Sequence, residues 1–172
     1  MSRSYLLILG DREAIGWVLT TGCMAFRDRN RSGVSSLRVG DWLYVYSTRK
    51  AFGNPTRDRG RLIGTAIVGT EVSRLARPVT FGGRDYSFGC DLKLDSLVPL
   101  GDGVELAPLV PVLETLSSAG RGWPSLLRRP LLRLSPNDAE FLSGELTNRL
   151  DPTRPPAEVI EEYSYWYRKR QE

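Results

Sequence analysis

The chain contains no histidine, and only two cysteines, Cys23 and Cys90. Without histidine, no Ser-His-Asp or Cys-His arrangement can form, and no histidine-bearing metal site either. Two thiols can pair once at most and lack the paired spacing of a zinc site, so free thiols in a reducing cytosol are expected. A general base would have to be a carboxylate, lysine, tyrosine or cysteine. The sequence has no phosphate-binding glycine loop and no nucleophile elbow. Asp91 and Asp95 share one face of an expected strand, but with Lys93 between them they read as solvent-facing residues. No apolar run approaches the roughly 18 residues needed to span a membrane. The run 5–10 is too short for a signal-peptide core, and acidic residues follow at once. These absences point to a cytoplasmic protein that is not an enzyme and uses no metal, cofactor or membrane.

What is present is an ordinary globular composition, 41% hydrophobic and 26% charged over 172 residues. That length suits one domain with an appended element. The net charge of +4 is unevenly spread. Residues 27–61 hold nine basic side chains against three acidic ones, a local +6, whereas residues 136–172 hold five against eight, a local −3. Arginine supplies most of the excess, and its planar fork suits phosphates and base edges. A solvated arginine-rich face is the simpler alternative.

Hydrophobic pattern divides the chain into strands and short helices. Residues 5–10 read as a buried strand. Asp11 caps a helix that begins at Arg12 and ends at Gly22. In residues 42–46, period-two alternation puts Trp42, Tyr44 and Tyr46 on one face and Leu43 and Val45 on the other. Residues 48–60 have the glycine, proline and charge of a mobile loop. Residues 62–69 form another strand, in which Gly64 permits a bulge or a close backbone approach. Residues 86–97 form a long strand with Leu92 and Leu94 inward. A helical pattern covers 109–116, a last strand 131–134, and Ser135 with Pro136 opens a further helix. The proline-rich stretch 150–156 is a linker, so residues 1–150 make the main domain and 151–172 add a linker and an amphipathic helix. Five or six strands among short helices imply an α+β fold around a small curved sheet or barrel.

In order and spacing, several segments resemble the EVE domain, a PUA-like fold related to the YTH domain. They are the strand 5–9, a helix carrying Trp17, the segment 24–30, Leu37-Arg38-Val39-Gly40-Asp41 before a strand, the strand 62–68, and Trp123 followed by 127–136. The resemblance covers residues 4–147. Met24-Ala25 stands where many relatives have a Trp-Gly pair, and the loop 48–60 is longer and more basic.

The resemblance implies a pocket on one side of the barrel that holds a modified base of DNA or RNA. Such a pocket needs aromatic faces and a few polar groups. Trp17, Phe26, Trp42, Tyr44, Tyr46 and Trp123 are the candidate aromatics. Arg27, Arg29, Ser47 and Arg128 are the candidate polar contacts, and Tyr46 beside Ser47 is the leading pair. Arg49, Lys50, Arg57 and Arg59 would hold backbone phosphates. A different class of function is a protein-interaction or self-association module acting through the aromatic helix 156–170. A nucleotide-directed enzyme is the third reading.

Overall fold

The computed structural model describes residues 2–31, 33–51 and 59–169, with side chains to residue 165. Strand β1, Ser4–Leu9, pairs on both edges, parallel with β3 (Trp42–Ser47) and antiparallel with β8 (Leu131–Leu134), and both of its faces lie in the core, so it is buried along nearly its whole length. Between β1 and β3 the chain forms helix α1 (Arg12–Thr21) and strand β2 (Cys23–Phe26). Asp11 does cap α1: its Oδ1 accepts from the Glu13 amide at 2.7 Å and the Ala14 amide at 3.4 Å. Gly22 ends the helix in the left-handed region, at φ 67°, where only glycine is unstrained.

Beyond β3 come β4 (Arg61–Val68), β5 (Ser73–Phe81), β6 (Arg84–Leu97) and the short β7 (Val104–Glu105). The sheet order is β2-β6-β4-β3-β1-β8, with β5 added to β6 and β7 to β4, and the sheet curls into a half-barrel. Strand β6 is long enough to serve two neighbourhoods. Its first half pairs with β5 and β2, and its second half with β4. Gly64 sits at the closest approach of β4 and β6: a Cβ there would lie 2.2 Å from the Ser96 carbonyl oxygen, next to a register shift at Thr65/Ala66.

The last third is mostly helical. A 3-10 segment, Ala107–Val112, leads into α2 (Glu114–Ser117), and α3 (Trp123–Leu126) precedes β8. The single helix expected over 109–116 is therefore two pieces. Pro111 has no amide to donate, and Leu113 is extended at φ −91°, ψ 115°. Helix α4 (Pro136–Thr147) starts as expected, with the Ser135 hydroxyl accepting from the Asp138 amide at 3.1 Å. The buried Asp138 carboxylate then accepts from the Glu114 and Thr115 amides at 2.9 and 2.8 Å, tying α2 to α4.

Helix α5 (Pro156–Lys169) packs on its own domain, against α1 and β6. Val159 and Tyr163 are buried, and the Tyr163 hydroxyl donates to the Val98 carbonyl at 2.8 Å. Arg154 meets Glu162 at 2.7 Å and Glu158 at 3.3 Å, closing the linker onto the helix.

Two expectations need correcting. Trp42, Tyr44 and Tyr46, candidate pocket aromatics on one face of β3, are not presented together: Tyr44 and Tyr46 are buried and only Trp42 is half-exposed. Strand β5 is not legible in the sequence, because Arg74, Arg77 and Pro78 break its apolar pattern. Pairing with β6 makes it a strand, through a two-residue Gly82-Gly83 turn at φ 55° and 73°.

Candidate functional site

A cavity of about 440 Å³ opens where the start of α1, the end of β2, the β5–β6 turn and residues 127–130 converge. Each wall is set by local structure. The cap at Asp11 aims α1 so that Ala14, Trp17 and Val18 face the opening. The glycine turn brings Phe81 and Arg84 to the same spot. The Ile8 amide donates to the Pro130 carbonyl at 3.0 Å, which holds the 127–130 segment beside β1.

Four aromatic side chains build the apolar part: Trp17, Phe26, Phe81 and Tyr86. Trp17 and Phe81 meet edge-to-face, with centroids 5.7 Å apart at 64°, and Phe81 meets Tyr86 at 5.3 Å and 62°. Such contacts fix ring orientation beyond simple burial. Phe26 and Phe81 are nearly covered, while Trp17 and Tyr86 are half-exposed and present usable faces.

The rim is cationic. Arg27, Arg31, Arg84, Arg128 and Arg129 line the cavity and are all exposed. Asp11 is the one carboxylate among the lining residues, and its Oδ1 is engaged by the helix cap. Among the described residues, no carboxylate lies within ion-pairing distance of these five guanidinium groups. The cavity thus combines aromatic faces with uncompensated positive charge, an arrangement suited to a flat ring bearing or adjoining anionic groups.

Of the residues named from the sequence, Trp17, Phe26, Arg27 and Arg128 line this cavity. Arg29 is exposed but lies outside the lining. Tyr46 and Ser47 are buried inside the sheet, 4% and 3% exposed, and neither reaches the cavity. The Tyr46 hydroxyl presses on Gly60, where an added Cβ would come within 1.8 Å of it, and burial raises the phenol pKa to about 12. Trp123 is half-buried at the start of α3, away from the lining. Trp42 begins β3, and the Tyr44 hydroxyl lies 3.0 Å from the Ala139 carbonyl, to which it donates, and 2.6 Å from Ser143 Oγ. Arg49 and Lys50 are exposed just after Thr48, which does line the cavity, and Arg59 is exposed. Arg57 lies outside the described residues.

Phe81, Tyr86, Arg31, Arg84 and Arg129 also line the cavity and are not among the candidates the sequence offers. For Phe81 and Arg84 a signal existed: Gly-Gly between two β-capable runs marks a tight hairpin.

No protein-family model matches the sequence, and no curated protein matches it. Solved structures do. A structure titled as the YTH domain-containing protein mmi1 in complex with RNA superposes at TM-score 0.58, with 11% identity, over 84% of this chain and 81% of that one. A hypothetical protein from Leishmania major gives 0.57 at 11% identity, over 86% and 96%. A protein from Rhodopseudomonas palustris gives 0.53 at 14% identity, over 88% and 98%. At such identities the likeness is one of fold: the chain has a mixed α+β architecture, a curled sheet with short helices, like that of the YTH domain.

Proposed function

We propose that this protein is a non-catalytic nucleic-acid-binding domain that accepts one extruded base, a modified one, in the cavity beside α1. The observation that carries this reading is the cavity itself, with four aromatic rings inside and, on its rim, five arginines that have no ion pair among the described residues. The base stacks against Trp17 and Tyr86, and the arginines meet the flanking phosphates. A similarly folded YTH domain solved with RNA supports nucleic acid as the ligand class. The sequence resemblance to EVE domains points the same way and favours a modified base. A cytoplasmic setting is part of the same proposal.

The self-association reading is less favoured, because the Val159 and Tyr163 face of α5 is covered by the domain itself.

The decisive experiment has two stages. Nucleic acid co-purified with the protein from its native host is digested, and its nucleosides are identified by mass spectrometry. Oligonucleotides with and without the enriched modification are then titrated against the wild type, Trp17→Leu and Tyr86→Leu. Stacking is worth roughly 1–3 kcal/mol per base. Each folded variant should therefore lose about tenfold in affinity for the modified strand and much less for the plain one. Equal losses on both strands would remove the base cavity and leave only a basic surface.

A further inference from the structure

The ribbon formed by β2, β6 and β5 carries more than the cavity wall. Residues 84, 86 and 88 of β6 alternate onto one face. Directly paired residues share a face, and Phe88 is opposite Phe26 on β2 and Arg74 on β5. Phe81 is opposite Arg84 on that same face. The row that supplies Phe26, Phe81, Arg84 and Tyr86 to the cavity therefore continues past its edge to Phe88 and Arg74, which are not part of the lining.

At that point the Arg74 guanidinium lies over the Phe88 ring, 5.4 Å from the centroid. Arg74 is exposed, has no ion pair among the described residues, and rests on a half-buried ring that packs against the core. A guanidinium plane supported from below is a flat cationic platform. Such planes stack nucleobases. Phe88 stands two residues from Tyr86, about 7 Å along a strand. That is roughly twice the 3.4 Å base-to-base rise of a stacked strand, as suits a neighbour whose stack has been opened.

We propose that Arg74 on Phe88 is a second subsite, which stacks the base adjacent to the one held in the cavity. This rests on the reading of the cavity as a base site, and the test separates the two. Arg74→Lys keeps the charge but removes the plane. The probes are ten-nucleotide single strands of oligoadenylate and oligouridylate, with a fully abasic strand of the same length supplying phosphates without bases. Arg74→Lys should weaken binding of both homopolymers about fivefold and leave the abasic strand unchanged. Phe88→Leu, if folded by thermal melt, should reproduce the pattern. Equal loss on all three strands, or no loss on any, overturns the stacking subsite. The pair Arg128→Gln with Arg129→Gln reports on the cavity independently. If it leaves homopolymer binding untouched while Arg74→Lys weakens it, the cavity reading fails and a stacking site at Arg74 remains; if the double variant weakens binding and Arg74→Lys does not, the cavity stands without the subsite.

Discussion

If the five cavity arginines meet phosphates, binding must release counterions, and salt will reveal how many. For single strands, the slope of log affinity against log salt is about −0.7 per phosphate neutralised. Five contacts give a slope near −3.5, so raising salt from 50 to 200 mM should weaken wild-type binding by about 100-fold. Arg128→Gln with Arg129→Gln removes two charges from the 127–130 wall. Both side chains are exposed and unpaired among the described residues, so the fold has little reason to change. The slope should flatten by about 1.4, and the same salt step should then cost only about 20-fold. Fluorescence anisotropy with a labelled ten-nucleotide strand across that salt range measures both slopes. Replacing Arg49, Lys50, Arg57 and Arg59 together with glutamine tests the loop beside Thr48 in the same assay: a wild-type slope steeper than about −3.5 that this variant flattens would add those residues to the five contacts. A cavity variant with the wild-type slope would show that these arginines touch no phosphate, and the rim would be a solvated face.

Other outcomes follow from burial. Gly60→Ala drives a methyl into the Tyr46 ring and should cost about 1–3 kcal/mol, whereas Gly144→Ala, in α4 with open space around it, should add about 0.5–1 kcal/mol; urea midpoints decide both. Burial holds the Tyr46 phenol and the Cys90 thiol near 12, against ordinary values of 10.0 and 9.0, and pushes Tyr163 up as well. The unfolded chain ionises first, so stability is whole below about pH 9 and declines from there towards 12. Urea midpoints at pH 8 and 10.5 should differ in that sense, with a smaller difference in Tyr46→Phe, and a flat profile would contradict the burial. Truncation at Asp151 removes the buried Val159 and Tyr163 and the bond to Val98, so the melting temperature should fall by several degrees with no change in subunit number by light scattering. A dimer turning into a monomer would instead revive the self-association reading.

Local signals in the sequence were enough for most element boundaries. Asp11 and Gly22 bracket α1, and Ser135-Pro136 starts α4, because capping chemistry acts within one turn of the helix it serves. The strands β1, β3 and β4 are legible as apolar runs because they lie in the middle of the sheet. Trp17, Phe26, Arg27 and Arg128 stood out as candidates one at a time. That they share one cavity was decided by the tertiary structure. The β5–β6 ribbon delivers Phe81, Arg84 and Tyr86 to α1, more than 60 positions away from Trp17 in sequence, and no local pattern encodes that meeting. Tyr46 shows the converse. By sequence it ends the strand 42–46 beside the basic loop 48–60, which is where a pocket wall would stand. Packing on both faces of β3 leaves Tyr46 buried, with its hydroxyl against Gly60, because contacts made by residues distant in sequence and not the strand's own pattern decide which face meets solvent.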